Sequence, residues 1–252
     1  MIAIDLSGRT ALVTGATGEL GRVMVRTLAE AGANVAVHYS QNREQADALV
    51  EECRATGRKA VRVQADITRK ADIEAMREIV TASLGAPDII VNNAVIQYEW
   101  TSVLKQSEAD YESQFRSCVL QNVLMAKVFV PAMIDRGWGR VIGINTECTM
   151  QAVANQSAYI SGKAGMDRVL RVLAREVGGH GITVNQVAPG WTISENRSGE
   201  GTPQWYLDSV ALKRRGTDQE IANAVCFLAS DLASFISGVY LPVSGGTVMP
   251  AI

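Results

Sequence analysis

Short apolar runs alternate with longer amphipathic stretches along the whole chain. A bounded apolar run is typical of a parallel strand covered on both faces, and the amphipathic stretch after it is typical of a crossover helix. The alternation predicts an α/β fold with a doubly wound parallel sheet of about seven strands, in a single domain over residues 1–252. The predicted strands are 10–13, 34–38, 60–64, 88–91, 140–144, 182–187 and 239–243. The predicted helices are 19–31, 43–56, 71–83, 107–135, 218–229 and one around Tyr159.

The composition argues against several other classes of protein. With 252 residues, of which 47% are hydrophobic, the chain can bury a full core. A net charge of -2 predicts no nucleic-acid or membrane-surface binding. The longest apolar stretch, around 123–134, is interrupted by Lys127 and is shorter than a membrane span. Four scattered cysteines and two histidines predict neither a metal site nor disulfides, so we expect a cytoplasmic protein.

A glycine-rich turn follows the first predicted strand and leads into the first predicted helix. Residues 14–21 read TGATGELG. Glycines permit a tight turn and a close approach of the backbone to a pyrophosphate, which rests on the helix N-terminus. The simpler interpretation is a strand-to-helix turn that needs positive φ. Within a βα series, the pattern favours a dinucleotide site that includes Gly15, Gly18, Leu20 and Gly21.

The end of the second predicted strand bears on the choice of dinucleotide. A residue that binds the ribose 2′-hydroxyl would be Asp or Glu near this position, but residues 38–43 read HYSQNR. No carboxylate repels a 2′-phosphate there, and Ser40 and Arg43 are available to bind one. We therefore expect NADP, with NAD as the alternative, because Arg43 is also an ordinary solvated residue for the first turn of a helix.

Tyr159 and Lys163 stand four residues apart in the stretch NQSAYISGKAG, so on a helix they share one face. A nearby ammonium favours the phenolate and lowers the phenol pKa, which makes a tyrosine a usable acid or base. The simpler interpretation is an ordinary helix with an exposed Tyr and Lys. Ala158, Gly162 and Gly165 form a small-residue face beside the pair, which predicts close packing of another helix.

Together these features resemble the one-domain branch of the short-chain dehydrogenase/reductase family, over essentially the whole chain. The resemblance implies a Rossmann-type fold and hydride transfer between a nicotinamide cofactor and a carbonyl or secondary alcohol. Its motifs, in the family's order and spacing, are the glycine turn, Asp66, Asn92-Asn93-Ala94, Tyr159/Lys163 and Pro189-Gly190. The contacts that it implies are Asp66 and Ile67 at the adenine, Asn92, Asn93 and Ala94 near the adenosine ribose, Tyr159 and Lys163 at the nicotinamide ribose, and Pro189, Gly190, Thr192 and Ser194 at the carboxamide.

The chain departs from the family pattern at several positions. Glu19 replaces a glycine of the turn, although the loop length is unchanged, so we expect cofactor binding to survive. Thr146 stands at the position of the active-site serine and keeps its hydroxyl. Cys118 stands where the family has an asparagine that holds a water in a proton relay. We expect Cys118 to be a small buried packing residue. Asn122, one turn further on, could take the place of the family's asparagine if the helix is locally bulged.

The resemblance implies a mechanism in which Tyr159 donates the proton to the carbonyl oxygen, Thr146 holds that oxygen and Lys163 lowers the pKa of Tyr159. Glu147 is either a substrate-binding carboxylate or, as we expect, an outward-facing loop residue. The alternative function is a diverged member that binds a dinucleotide with little turnover, as a sensor or scaffold.

Two further expectations concern the substrate and the assembly. Residues 191–213 form a long irregular segment that contains Trp191 and Trp205, which predicts a substrate lid with aromatic anchors. The helices that hold Cys118 and Tyr159 resemble the pair through which family members dimerise. We therefore expect a homotetramer or homodimer that acts on a small carbonyl or alcohol.

Overall fold

The computed structural model describes residues 3–197 and 201–249 and contains a seven-stranded parallel sheet with helices on both faces. The strands are β1 (Thr10–Val13), β2 (Asn34–Tyr39), β3 (Ala60–Gln64), β4 (Ile89–Asn92), β5 (Gly139–Ile144), β6 (Ile182–Pro189), β7 (Thr192–Ile193), β8 (Gly216–Thr217) and β9 (Tyr240–Val243). The helices are α1 (Glu19–Glu30), α2 (Arg43–Ala55), α3 (Lys70–Leu84), α4 (Glu108–Gln114), α5 (Gln121–Arg136), α6 (Cys148–Gln151), α7 (Ser157–Val177), α8 (Gln204–Ser209) and α9 (Asp218–Ala229).

The strand order is β3-β2-β1-β4-β5-β6-β9, which confirms the predicted doubly wound fold. Val13 of β1 is paired with Val37 of β2 on one side and with Val91 of β4 on the other. The chain therefore winds in opposite directions from β1, and a crevice opens at the carboxyl ends of β1 and β4. Ligands of open α/β sheets bind at such a switch point.

The sheet is held between two apolar layers because alternate strand residues point to opposite faces. On one face Val13 packs in a cluster with residues of α1 and α9 such as Met24 and Val225. On the other face Leu12 packs in a cluster with residues of α3 and α5 such as Met76 and Met125. This double burial explains why the strands read as almost continuously apolar.

The helix predicted over 107–135 is interrupted by a π-helical turn, Phe115–Leu120, between α4 and α5. Taken as one stretch, Glu108–Arg136 is long and apolar enough to cross a membrane, so the prediction that no stretch reaches that length is wrong. The apolar run around Lys127 is only a part of this longer helix. In the structure, 56% of the most apolar window of this helix is buried inside the protein, as in the core helix of a globular fold.

The small-residue face of α7 packs against the same chain. A Cβ added at Gly162 would lie 3.0 Å from the Gln114 carbonyl oxygen, and one at Gly165 would lie 2.8 Å from Val119. Ala158 is also buried. The predicted close packing of another helix is therefore confirmed, and that helix belongs to the same chain.

The segment predicted to be irregular contains β7, a 3-10 turn (Glu195–Arg197) and α8. Glu195 lies 3.8 Å from the Arg22 guanidinium of α1 and is also paired with Arg26. Glu19 contacts Arg22 at 3.0 Å. The residue that departs from the glycine pattern therefore belongs to an ionic cluster that ties the segment to α1.

Candidate active site

The glycine turn has no room for side chains at two positions. Gly15 has a φ of +61°, and a Cβ there would lie 2.9 Å from the Ala94 Cα. A Cβ at Gly21 would lie 2.2 Å from the Gly15 carbonyl oxygen. Gly18 is the N-cap of α1 and provides no side-chain hydrogen bond, while Leu20 is the second residue of the helix. The first N–H groups of α1 therefore have no side-chain cap and are suited to an anionic group.

The residues after β4 brace this turn. The Thr14 hydroxyl oxygen accepts hydrogen bonds from the backbone N–H groups of Asn93 and Ala94, at 2.9 and 3.0 Å. The Asn93 side chain donates to the carbonyls of Thr14 and Gly15, both at 3.0 Å. Asn93 and Ala94 thus lie beside the turn, and their hydrogen bonds fix its shape.

His38, for which the sequence predicted no role, holds the turn from the other side. Its Nδ1 accepts a hydrogen bond from the Gly15 N–H at 3.0 Å, and its Nε2 lies 3.1 Å from the Ala65 carbonyl oxygen. This arrangement requires the neutral ring with the proton on Nε2. Burial lowers the pKa of His38 to about 4, so the ring is neutral at physiological pH.

The residues predicted to contact the adenosine end lie after β2 and β3. The exposed Ser40 accepts a hydrogen bond from Gln64 through its carbonyl oxygen. Arg43 is exposed and lies 3.6 Å from Asp47, an i,i+4 ion pair on α2. Asp66 accepts hydrogen bonds from the N–H and the hydroxyl of Thr68, and Ile67 is buried. Arg43 is therefore a solvated residue in the first turn of α2, which is the simpler of the two interpretations. Its contact with a 2′-phosphate stays a prediction.

The predicted catalytic residues meet beyond the carboxyl end of β5. The Thr146 hydroxyl lies close enough to Tyr159 to lower the pKa of the phenol against the effect of burial. The Lys163 ammonium donates to the Ile144 carbonyl oxygen at 2.5 Å and lies 5.8 Å from the centre of the Tyr159 ring. Trp100 is stacked against Tyr159, with the ring centres 6.0 Å apart. The spacing of Tyr159 and Lys163 on α7 thus places both side chains beyond the end of β5, with the ammonium facing the Tyr159 ring.

The pKa of Tyr159 in the protein alone is raised, whereas a lowered pKa was expected. Burial raises the pKa of Tyr159, and the nearby Thr146 hydroxyl opposes this only in part. Burial also lowers the pKa of Lys163. Desolvation of the phenolate is therefore the largest effect on Tyr159 in the protein alone, and the lowering of its pKa by Lys163 stays a prediction. Tyr159 is kept as a protonated phenol at neutral pH.

Asn145 and Tyr240, which the sequence did not single out, position this group. The Asn145 amide donates to the Lys163 carbonyl at 3.0 Å and to the Gln186 side chain at 2.7 Å. The Tyr240 hydroxyl donates to the Thr146 carbonyl oxygen and lies 3.2 Å from the Asn145 oxygen. These contacts join β5, α7 and β9. They could not be predicted from the sequence, because the residues that make them are far apart and form no local pattern.

Cys118 and Asn122 both have structural contacts. Cys118 is buried in the apolar layer, as expected for a packing residue. The helix is bulged at Cys118, but the Asn122 amide donates to the Cys118 carbonyl at 2.6 Å and accepts from Asn92 at 2.8 Å. Among the hydrogen bonds of residues 3–197 and 201–249, neither side chain contacts Lys163. Asn92 is therefore bonded to α5 and does not point to the turn.

The turn after β6 lies beside the start of α6. The Pro189 carbonyl accepts from the Glu147 N–H at 3.0 Å, and the Gly190 N–H donates to Val243 at 3.1 Å. A Cβ at Gly190 would lie 3.0 Å from the Ser244 Cα. Thr192 begins β7, and the hydroxyl of the buried Ser194 has no hydrogen-bond partner. An unpaired buried hydroxyl after this turn fits a polar ligand group.

Glu147 is buried, so the expectation of an outward-facing loop residue is wrong. Only 4% of its surface is exposed, and its Oε2 would lie 3.1 Å from a Cβ on Gly190. The backbone hydrogen bond to Pro189 draws this residue under the turn after β6. Burial raises the pKa of Glu147.

A cavity of about 460 Å³ lies at the opposite edge of the sheet, near Trp138 and Arg140. Its walls include the amino ends of β5 and β6 and none of the glycine turn or the Tyr159 group. The candidate active site is therefore the carboxyl edge, where the turn, the buried lysine and the phenol come together.

Comparisons with known proteins agree with this geometry. Residues 15–248 match the family model described as enoyl-(acyl carrier protein) reductase. The 3-oxoacyl-[acyl-carrier-protein] reductase FabG of Staphylococcus epidermidis is 33% identical over 96% of this chain and 99% of its own length. The chain belongs to the short-chain dehydrogenase/reductase family. It is an NAD(P)-dependent enzyme of that family.

Solved structures of the family place both cofactors on this fold. The complex of 7α-hydroxysteroid dehydrogenase with NADH and 7-oxoglycochenodeoxycholic acid has a TM-score of 0.90 and 31% identity, over 98% of this chain and 97% of that one. A metagenomic blue fluorescent protein in complex with NADPH has a TM-score of 0.89 and 31% identity, over 97% of this chain and all of that one. The Gly15 to Gly21 cradle, the N-terminus of α1 and the unpaired Ser194 hydroxyl fit a dinucleotide in the present chain.

Proposed function

We propose that this enzyme interconverts a carbonyl compound and a secondary alcohol, and that it works with NADPH in the reducing direction. The observation that carries the proposal is the proximity of the Tyr159 phenol to the Thr146 hydroxyl, with the buried Lys163 ammonium 5.8 Å from the centre of the Tyr159 ring. A protonated phenol and a second hydroxyl can converge on one carbonyl oxygen, which is the arrangement that general acid catalysis requires.

In this mechanism the nicotinamide, when bound, supplies the hydride. Thr146 donates a hydrogen bond to the carbonyl oxygen and orients it, and Tyr159 transfers its phenolic proton to the same oxygen. The raised pKa of Tyr159 keeps the proton available at neutral pH. Lys163 stays oriented by its bond to Ile144 and provides positive charge beside the phenolate that forms.

The dinucleotide would be held along the carboxyl edge of the sheet. Its pyrophosphate would rest on the first turn of α1, where glycines leave the backbone accessible. The groups proposed to contact the rest of it are Ser40 and Arg43 at a 2′-phosphate, Asp66 and Ile67 at the adenine, Asn92, Asn93 and Ala94 near the adenosine ribose, Tyr159 and Lys163 at the nicotinamide ribose, and Pro189, Gly190, Thr192 and Ser194 at the carboxamide.

NADPH is preferred in this proposal because residues 38–43 lack a carboxylate and include Arg43. Because the Arg43 side chain is exposed and its partner Asp47 is exposed too, their ion pair is weak and can open. Fluorescence titration with NADPH and NADH tests the preference. Equal affinities, or tighter binding of NADH, would contradict it.

Replacing Tyr159 by Phe tests the mechanism. The variant keeps the ring that stacks on Trp100 but has no proton to donate. We expect carbonyl reduction to fall by about 10²- to 10⁴-fold, the usual contribution of an acid catalyst, with NADPH affinity nearly unchanged. A variant with wild-type turnover would rule the mechanism out.

A dinucleotide-binding sensor with little turnover is the second candidate. The observation that favours it is the engagement of Asn122 with Asn92 and the Cys118 carbonyl, which leaves Lys163 without the asparagine of the family's proton relay. Tight NADPH binding together with no turnover on a broad carbonyl panel would support the sensor. Turnover of any carbonyl at a normal enzymatic rate would exclude it.

We also propose a cytoplasmic homotetramer or homodimer in which residues 191–213 close over the substrate. Phe115 and Val172 are more than half exposed on the two helices that hold Cys118 and Tyr159, so they could pack between subunits. Trp191 and Trp205 are stacked 6.2 Å apart on the 191–213 segment and give it an aromatic surface. Light scattering that gives a monomeric mass would contradict the proposed assembly.

A further inference from the structure

Two charged side chains near the candidate site are buried and incompletely paired. Glu147 and Arg215 are each 4% exposed. The Oε2 of Glu147 has no hydrogen-bond partner, and neither have the Nε and Nη1 of Arg215. Burying charged groups without partners is unfavourable, so these atoms require an explanation beyond folding.

The donors near Glu147 are directed elsewhere. The Trp191 N–H and the Thr247 hydroxyl are close enough to lower the pKa of Glu147 against the effect of burial. However, the Trp191 N–H donates to the Tyr206 hydroxyl at 3.1 Å, and the Thr247 hydroxyl donates to the Ser244 carbonyl at 2.7 Å. The carboxyl group of Glu147 therefore remains available to a donor on a ligand.

The Nε and Nη1 of Arg215 are also available to a ligand. Its Nη2 donates to the Thr192 carbonyl, and its guanidinium lies 4.5 Å from the centre of the Trp191 ring. No carboxylate of residues 3–197 and 201–249 pairs with it. The neighbouring Arg214 differs, because it makes two hydrogen bonds to the carboxylate of Glu220.

The two groups lie on the lid side of the catalytic residues. The charge of Glu147 raises the pKa of the buried Tyr206 and the charge of Arg215 lowers it, so both groups lie near the Tyr206 hydroxyl. That hydroxyl contacts the backbone of Trp191. Glu147 directly follows Thr146 in the chain, and Arg215 packs on the Trp191 ring. A substrate held by Thr146 and covered by Trp191 would extend toward both side chains.

We propose that Glu147 and Arg215 form a substrate subsite for a hydroxylated carboxylic acid. The guanidinium binds the carboxylate of the substrate, because Nε and Nη1 have no partner and one of them can donate in parallel with the N–H of Nη2 that Thr192 leaves free. The Glu147 carboxyl group accepts a hydrogen bond from a substrate hydroxyl. This inference rests on the proposed function, in which the reacting carbon of the same molecule lies at Thr146 and Tyr159.

Binding of three six-carbon probes to the protein saturated with NADP⁺ tests the subsite, with the change in tryptophan fluorescence as the readout, because Trp191 stacks on Arg215. Gluconate offers a carboxylate and hydroxyls, sorbitol offers hydroxyls alone, and hexanoate offers a carboxylate alone. We expect gluconate to bind about 10- to 100-fold more tightly than either of the others, the range for one hydrogen-bonded charged group.

Variants assign this preference to the two residues. Arg215→Met should reduce gluconate binding to the level of sorbitol, and Glu147→Leu should reduce it to the level of hexanoate. Both variants should melt no lower than the wild type, because each removes an unpaired buried charge. Arg214→Met is the matched control, since it removes an arginine that is already paired, and should leave the order of the probes unchanged.

Two results would overturn the inference: a wild-type protein that does not distinguish the probes, or an Arg215→Met variant that loses tenfold or more in NADP⁺ affinity, which would assign Arg215 to the cofactor. Failure of the proposed function would look different. Selective gluconate binding without turnover of any carbonyl would support the subsite and contradict the reductase, whereas carbonyl turnover without probe selectivity would do the reverse.

Discussion

Lowering the pH from neutral to about 4 should remove about 3 kcal/mol of stability through one side chain, His38. The folded protein keeps this imidazole neutral down to a pKa of about 4, against an ordinary value of 6.5. Between these values the unfolded chain binds a proton that the folded protein does not, so stability is fully present above pH 6.5 and falls as the pH drops. The slope is about 1.4 kcal/mol per pH unit over that window.

The contact that breaks is the one that shapes the glycine turn. Protonation of Nδ1 removes the acceptor for the Gly15 N–H, while Nε2 can still donate to Ala65. NADPH affinity should therefore fall as the pH drops through about 4, where the folded protein itself binds the proton.

Urea unfolding at a series of pH values measures the effect, with His38→Asn as the control. Asparagine keeps an acceptor near Gly15 but does not titrate, so the difference in unfolding free energy between the two proteins isolates the imidazole. His38 and the exposed His180 are the only histidines, which makes an NMR titration straightforward to assign. Parallel loss of stability in both proteins, or a His38 resonance that titrates near pH 6.5, would refute the reasoning.

Two further predictions concern the turn and the last helix. Gly21→Ala should weaken NADPH binding about 5- to 150-fold, because the new methyl group would overlap the Gly15 carbonyl and displace the turn; Gly178→Ala, which meets no atom within 4 Å, is the control in the same fluorescence titration. Thr217→Ala should lower the unfolding free energy by about 1 kcal/mol, since it removes the capping box with Glu220, while activity stays at the wild-type level in a parallel assay.

Local patterns in the sequence were enough to predict the strands, the glycine turn and the shared face of Tyr159 and Lys163. Each of these depends on residues within one strand, turn or helix. The role of His38 could not be predicted in this way, because it requires the ends of β1, β2 and β3 to lie side by side in a fixed register.

The burial of ionisable side chains also could not be predicted from local patterns in the sequence. Glu147 follows a strand and resembles a loop residue in sequence, yet its N–H bonds to Pro189 and the turn after β6 covers its side chain. The raised pKa of Tyr159 could not be predicted either, because the sequence shows the nearby charge of Lys163 but not the desolvation of the phenol.

The fate of the cofactor's hydrogen tests the central claim most directly. Wild-type protein and Tyr159→Phe are incubated with NADPH deuterated at the transferable C4 position and a panel of carbonyl compounds, and the products are analysed by mass spectrometry. The proposed mechanism predicts an alcohol with deuterium on the former carbonyl carbon from the wild type, and a yield lower by about 10²- to 10⁴-fold from the variant, which still binds NADPH. Equal labelled yields from both proteins, or tight NADPH binding with no labelled product from the wild type, would contradict it.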